Sequence, residues 1–148
     1  MAISALTPNL MVDDMPGALA FYRDTLGFEV VYSQPNEATA VWAEPRSGAA
    51  SIMPRTRASL SEELPDLRER GIGATRTLYL TVDDAVTFDG LYERTCGART
   101  VIKEPFTTFY GAREFCLRDS EGYLLAFACM AAASHPDVTV APAHEGSE

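Results

Sequence analysis

Histidine is scarce in this chain of 148 residues: the only two, His135 and His144, lie near its C-terminal end. A serine or cysteine nucleophile needs a base within hydrogen-bond reach, and histidine is the usual one. The three cysteines include no C-x-x-C pair, which argues against both a disulfide framework and a zinc knuckle. We therefore expect neither histidine-assisted nucleophilic catalysis nor a fold stabilised by disulfides or a structural zinc ion.

Positive charge and long apolar runs are also scarce. Twelve Lys and Arg face 21 Asp and Glu, and the net charge of -9 argues against nucleic-acid binding through phosphates. No apolar run approaches the ~20 residues that cross a bilayer, and no basic segment precedes an apolar one at the N-terminus. We expect a cytoplasmic protein without a membrane partner. Its acidity fits a cationic or neutral small ligand, although acidic surfaces often serve solubility alone.

One pattern occurs twice, 70 positions apart. "VDDMPGALAFYRDTLGFEVV" at 12–31 aligns without a gap on "VDDAVTFDGLYERTCGARTV" at 82–101. The seven identities in the first copy are Val12, Asp13, Asp14, Tyr22, Thr25, Gly27 and Val31. Such self-similarity indicates that one supersecondary unit has been used twice.

The local patterns predict the order of elements within each unit. An Asp supplies the N-cap of each helix and a Gly ends it; in the first copy these are Asp13 or Asp14 and then Gly27. Alternating, Val-rich and aromatic runs predict the strands. The predicted strands are 5–12, 28–32, 39–43 and 49–53, then 77–82, 99–103, 113–117 and 123–129. The second helix is predicted at 84–96, and a turn at 44–48 separates the third and fourth strands.

These elements predict an α+β fold of two tandem βαβββ modules. The first module is placed at 1–55, a linker at 56–75, the second module at 76–130 and a flexible acidic tail at 131–148. The linker is predicted to hold a short helix, because Ser59 and Glu62 match a capping box.

Two motifs resemble those of the vicinal oxygen chelate superfamily. "LGFEVVY" lies in the first unit and "YGAREFCLRDSEGYLLAF" in the second, although the family usually has Asp-Pro-Asp-Gly where this chain has Asp-Ser-Glu-Gly at 119–122. The family includes glyoxalase I, extradiol dioxygenases, fosfomycin-modifying enzymes and bleomycin resistance proteins. The resemblance implies curved sheets around a cleft, commonly completed by a second subunit, and hence a homodimer.

The resemblance also implies where a metal would lie. Metal-dependent members carry a His on the first strand of each unit and a carboxylate on the last strand. Those positions fall on Thr7, Thr77 and Ala126, and the first-unit counterpart of Ala126 falls within 49–53, which has no acid, His or Cys. Divalent metals need imidazole, thiolate or carboxylate donors, so we predict neither a family-type metal site nor a cofactor.

The cleft is instead predicted to hold a small molecule on polar and aromatic side chains. Strand alternation places residues two apart on one face, and aromatic-rich cavities with a few polar groups suit flat ligands. For the aromatic residues, packing in the core or in a dimer interface is the alternative. The predicted ligand-binding residues are Thr7, Asn9, Trp42, Thr77, Tyr79, Phe109 and Tyr110.

The resemblance is closest to the metal-free, bleomycin-resistance-like members. It implies binding and sequestration of an antibiotic-type molecule, bleomycin-like or aromatic, without turnover. The alternative is an enzyme with an unrecognised metal site, or a metal-free one in which Glu114 or a tyrosine such as Tyr79 or Tyr110 transfers protons. Glu114 follows Arg113, so an ion pair or an exposed strand pair is the competing interpretation of this carboxylate.

Overall fold

The computed structural model describes residues 3–72 and 77–130. The predicted tail at 131–148 and residues 73–75 of the predicted linker lie outside the described residues, as do residues 1, 2 and 76 of the predicted modules. Within the described ranges, no helix is long and apolar enough to cross a membrane.

The first module consists of a mixed sheet and a helix that follows its first strand. Its strands lie in the order β1-β5-β3-β2, in which β1 and β5 are parallel, the other neighbours are antiparallel, and β4 pairs with β3. The elements are β1 (Asn9–Val12), α1 (Met15–Leu19), a π-helical continuation (Ala20–Thr25), β2 (Glu29–Gln34), β3 (Trp42–Ser47), β4 (Ala50–Ser51) and β5 (Met53–Thr56). A connecting α2 (Arg57–Glu63) and a 3₁₀ turn (Pro65–Leu67) follow.

The second module repeats this arrangement. Its strand order is β6-β9-β8-β7, with β6 and β9 parallel and the other neighbours antiparallel. Its elements are β6 (Thr77–Thr81), α3 (Ala85–Cys96), β7 (Val101–Thr107), β8 (Ala112–Arg118) and β9 (Leu124–Met130). The predicted α+β fold with two βαβββ units is confirmed.

The predicted helix boundaries hold where local signals set them. The Asp14 carboxylate accepts a hydrogen bond from the Gly17 amide at 3.0 Å, and Gly27 has the positive φ of 84° that favours glycine after a helix. Asp84 caps α3 by accepting from the Thr87 amide at 2.8 Å. The short helix predicted in the linker is present as α2, but its predicted cap at Ser59 was wrong: the helix begins at Arg57, and the Thr56 hydroxyl accepts from the Ser59 amide.

Two strand predictions in the first module were wrong. β1 begins at Asn9, not at residue 5, and the predicted turn at 44–48 is mostly the strand β3. Pro45 lies in this strand opposite Val30, where the pairing with β2 changes register. Proline is tolerated at such an irregularity because no regular ladder bond to its nitrogen is needed. The chain turns later, at Gly48, whose φ is 57°.

Both modules contribute to one hydrophobic core on the helix-bearing sides of the sheets. Phe115 lies at its centre, stacked on Phe127 at 5.0 Å and packed edge-on against Phe88 and Tyr92, each at 5.2 Å. The first module adds buried side chains to the same cluster: Leu10, Phe21, Tyr22, Leu26, Phe28 and Ile52. Because the cluster is shared, the two modules are held together by apolar burial.

The turn between β8 and β9 adds polar bonds between the modules. The buried Tyr22 hydroxyl donates to Asp119 Oδ2 at 2.9 Å, and the Tyr123 hydroxyl donates to the Met11 carbonyl at 2.8 Å. The two carboxylate oxygens of Glu121 accept from the amides of Asp13 and Asp14, at 2.9 Å each. Glu121, to which the sequence analysis gave no role, therefore caps the start of α1 from the other module.

Candidate functional site on the second sheet

Each sheet has one face that packs on its long helix and an opposite face, which we call the open face. Along β9, Leu125 and Phe127 lie in the core, so the even-numbered residues point the other way. The strand register then defines the open face of the second sheet, which we call the second open face. Its residues are Thr77, Tyr79 and Thr81 on β6; Leu124, Ala126, Ala128 and Met130 on β9; Glu114, Cys116 and Arg118 on β8; and Lys103 and Phe106 on β7.

A buried carboxylate held by two tyrosines lies on this face. Glu114 is only 8% exposed, and the Tyr79 hydroxyl donates to its Oε2 at 2.6 Å. The Tyr110 hydroxyl donates to the same oxygen. Phe109 stands perpendicular to the Tyr110 ring at 5.0 Å and is 83% exposed. Three residues predicted from the sequence as binding or catalytic are thus in direct contact.

Small residues on β9 make the Tyr79–Glu114 contact possible. Tyr79 is on β6 and Glu114 on β8, with β9 between them, so the tyrosine side chain must cross two strand spacings of about 4.8 Å each. Ala126 pairs with Tyr79, and Ala128 pairs with Glu114. Both alanines are buried, at 5% and 2% exposure, although they face away from the core. They form a shallow floor under the tyrosine.

The interaction of Glu114 with Arg113, considered from the sequence, does not occur. Adjacent strand residues point to opposite faces, and Arg113 lies over the Phe88 ring and pairs with Asp89 at 3.1 Å. Glu114 is neither in an ion pair with Arg113 nor an exposed strand residue.

Burial and the Glu114 charge shift the ionisation of the neighbouring groups. Burial of the phenol, then its hydrogen bond to Glu114, raises the pKa of Tyr79 far above its ordinary value. The hydrogen bond to Glu114 is the main cause of the raised pKa of Tyr110. Burial, followed by the Glu114 charge, raises the pKa of the Cys116 thiol, and Lys103 opposes this effect. Both phenols therefore stay protonated at neutral pH and act as fixed donors.

We predict that Glu114→Gln lets Tyr110 and, less completely, Tyr79 ionise closer to about pH 10, the ordinary tyrosine value. Both folded pKa values lie above the unfolded one, so the folded state retains more protons above about pH 10 and the free energy of unfolding falls there. The variant should show a shallower fall. Phenolate absorbance between about pH 9 and 11 measures the change.

The matched control is Glu104→Gln. Glu104 accepts a hydrogen bond from Tyr92 and raises the pKa of that tyrosine to about 12. Glu104→Gln should lower the pKa of one tyrosine towards its ordinary value, whereas Glu114→Gln should lower the pKa values of two. An unchanged titration in Glu114→Gln would show that the two phenols do not bond to this carboxylate in solution.

The other predicted site residues lie on the first sheet or beside Tyr79. Thr77 is on the second open face two residues before Tyr79, whereas Asn9 is on β1 and Thr7 just precedes that strand. Trp42 contacts Tyr32 at a ring distance of 5.1 Å, with the Arg55 guanidinium 5.7 Å from its ring. The structure thus divides the predicted residues between two sheets.

Two residues of the second open face were missed from the sequence. Cys116 lies on this face two positions along β8 from Glu114. Lys103 pairs with it on β7 and places its amino group 4.1 Å from the Phe106 ring centre. Strand alternation from Glu114 would have placed Cys116 on this face. The position of Lys103 could not be predicted in this way, because the pairing of β7 with β8 is irregular on both sides of it.

A cavity of about 560 Å³ lies beside this face. It is bounded by the Ser47–Ala50 turn region of the first module and by β6 and α3 of the second, and Tyr79 borders it. Its charged residues, Asp83 and Arg94, are exposed, and Arg94 Nε already donates to the Thr25 carbonyl at 3.0 Å. We therefore place the candidate site at the buried carboxylate of the second open face.

A family model fits this fold over most of its length. Residues 4–127 match the model of the Glyoxalase/Bleomycin resistance protein/Dioxygenase superfamily. The chain belongs to this superfamily. The resemblance to the vicinal oxygen chelate family is therefore confirmed at the level of the superfamily, whereas no curated protein sequence matches the chain.

Several solved structures share the fold. A glyoxalase/bleomycin resistance protein/dioxygenase family enzyme from Burkholderia phytofirmans PsJN is 20% identical, with a TM-score of 0.71 over 86% of this chain and 100% of that one. TioX from Micromonospora sp. ML1 is 22% identical, with a TM-score of 0.67 over 87% and 100%. A lactoylglutathione lyase from Agrobacterium tumefaciens is 21% identical, with a TM-score of 0.66 over 86% and 95%. At these identities the likeness shows the fold alone.

The residues at the superfamily's metal positions do not fit a metal. In the second module, Thr77 offers only a hydroxyl group, and Ala126 has no side-chain atom that can bind a metal. Asn9 of the first module is the repeat equivalent of Tyr79, and it pairs with Met53 as Tyr79 pairs with Ala126. Met53 therefore lies where metal-dependent members would have the carboxylate of the first module. Among the described residues, no three His, Cys, Asp or Glu side chains are placed to hold a metal ion together.

Proposed function

We propose that this protein binds a small antibiotic-type molecule, bleomycin-like or aromatic, on the second open face and sequesters it without turnover. The observation that carries the proposal is the buried Glu114 carboxylate, held by two phenols beside the exposed ring of Phe109. Such a face offers one fixed polar group and several aromatic surfaces, as sites for small organic molecules do.

The raised pKa values of the tyrosines favour binding over proton transfer. A general acid or base works best with a pKa near the working pH, and the shifts of Tyr79 and Tyr110 move both phenols away from neutrality. Their donor hydrogens are instead used to hold Glu114. This arrangement suits a rigid recognition surface.

We further propose that the protein works as a cytoplasmic homodimer in which a second copy covers part of the open faces. Apolar side chains there remain solvent-exposed in the single chain, including Tyr79, Met130 and Tyr32. Exposed apolar surface of this kind commonly marks an interface or a binding site.

The test combines native mass spectrometry with thiol footprinting. The protein is incubated with bleomycin-type and aromatic DNA-damaging compounds, and each bound and released mass is measured. Cys116 lies on the proposed site, whereas Cys96 is exposed at the end of α3. We expect an intact ligand mass and slower alkylation of Cys116 with Cys96 unchanged. Intact binding that leaves Cys116 unprotected would move the site elsewhere, for instance to the neighbouring cavity.

A metal-free enzyme is the second candidate, and the position of Glu114 favours it specifically. A carboxylate in an apolar face with one oxygen free of phenol bonds could accept a proton from a bound substrate. Ligand masses altered on incubation, with the alteration abolished in Glu114→Gln, would establish this function and overturn sequestration.

A further inference from the structure

One oxygen of Glu114 is available to a ligand. Both phenols donate to Oε2, and no described residue donates to Oε1. Oε1 is not among the buried side-chain atoms that lack a hydrogen-bond partner, so it reaches solvent, and an N–H donor of a ligand can take the place of water there.

No described cation neutralises this carboxylate. None of the ion pairs among the described residues includes Glu114. Of the two cations on the same face, Lys103 places its amino group over the Phe106 ring, and Arg118 is in none of these ion pairs. The uncompensated charge therefore selects for a positively charged partner over a neutral or negative one.

The internal repeat supplies a direct comparison. Glu44 lies 70 positions before Glu114, on β3, which corresponds to β8. Unlike Glu114, it is in an ion pair with Arg46 and also accepts from the Ser51 hydroxyl at 2.8 Å. The same position in the fold thus has an internal cation in the first module and none in the second.

Aromatic rings border the free carboxylate oxygen. Tyr79 is 55% exposed, and Tyr110 carries the perpendicular ring of Phe109. Ring faces attract cations as well as other rings, and Lys103 over Phe106 shows this contact on the same face.

We infer that Glu114 binds a positively charged nitrogen with N–H donors, an amidinium or a protonated amine, carried on a flat aromatic ring that packs against Tyr79 and Tyr110. This inference rests on the proposed function and names the class of ligand: a planar aromatic cation. Glu114 Oε1 accepts the N–H bond, and the two phenols hold the carboxylate in place.

The experiment compares three fluorescent probes of similar aromatic size: 4′,6-diamidino-2-phenylindole, which carries amidinium groups, neutral 2-phenylindole, and anionic 8-anilinonaphthalene-1-sulfonate. Titrations are made at about 0.15 M salt, where the Debye length of about 8 Å screens distant charges. We expect the diamidine to bind at least about tenfold more tightly than 2-phenylindole, and Glu114→Gln to remove at least about tenfold of that affinity.

Glu44→Gln is the matched control, because it removes the same charge from the equivalent position of the repeat. It should change diamidine affinity by less than about twofold, and Glu114→Gln should leave 2-phenylindole binding equally unchanged. Equal losses in both variants would overturn the inference, since overall charge would then explain the binding. Tyr79→Ala, which keeps the carboxylate but removes a ring, should weaken both the diamidine and the neutral probe.

The outcomes separate this inference from the proposed function. Suppose that 2-phenylindole or the sulfonate binds saturably, and that its affinity falls in Tyr79→Ala but is unchanged in Glu114→Gln. Sequestration then stands, and the inferred cationic class of ligand is wrong. If none of the three probes binds saturably, the inference is overturned. The proposed function then fails separately only if the bleomycin-type and aromatic DNA-damaging compounds also give no intact bound mass.

Discussion

Replacing Asp119 by alanine is expected to lower the free energy of unfolding by about 3 kcal/mol, because a buried carboxylate with several partners is removed. Asp119 Oδ2 accepts from the buried Tyr22 hydroxyl, and Oδ1 accepts from the amides of Glu121 and Tyr123, at 2.8 Å each. Alanine leaves the phenol without its acceptor and loosens the turn that joins the modules. Urea unfolding at neutral pH measures the loss.

Asp119→Asn and Tyr22→Phe are the controls. The amide oxygen can still accept from the two backbone amides, and its nitrogen can donate to the tyrosine hydroxyl, so asparagine should lose less than half as much stability. Tyr22→Phe combined with Asp119→Ala should cost less than the sum of the single changes, because both remove one shared bond. A loss below about 1 kcal/mol in Asp119→Ala would show that this bond does not hold the modules together.

The order of elements could be predicted because it depends on local signals and on their repetition. Asp14, Asp84 and Gly27 act within one turn of helix, and their roles follow from neighbouring residues alone. The turn expected at Pro45 failed because long-range pairing with β2 and a register shift override the local turn preference. Glu121 could not be predicted either, since its partners lie 107 and 108 positions away in sequence.

The candidate site was predictable only in part, for a related reason. Alternation places Tyr79 on the face where Ala126 leaves room, and this can be derived from spacing within single strands. The meeting of Tyr79, Tyr110 and Glu114 depends on the pairing of β6, β9 and β8, which spacing does not contain. The adjacency of Arg113 misled the interpretation of Glu114, although alternation alone sends the two side chains to opposite faces.

Because the site depends on a shallow floor, Ala128→Leu should disrupt it. Ala128 is 2% exposed and pairs with Thr81 and Glu114, in the path that the Tyr79 side chain takes across β9. A leucine there displaces the tyrosine from the carboxylate and overpacks the face, at an expected cost of about 1–3 kcal/mol in the free energy of unfolding. The same change should abolish binding of the diamidine probe.

Truncating the tyrosine shows whether the floor acts through this contact. Suppose that Ala128→Leu is destabilising because it displaces the Tyr79 ring. Adding Tyr79→Ala to Ala128→Leu should then lower the free energy of unfolding only a little further, so the double variant should be more stable than the sum of the two single effects predicts. If Ala128→Leu costs the same free energy of unfolding with and without the ring, the tyrosine does not cross β9 above Ala128. The geometry that holds Glu114 would then be wrong, so this cycle tests in one set of unfolding curves the contact on which both proposals depend.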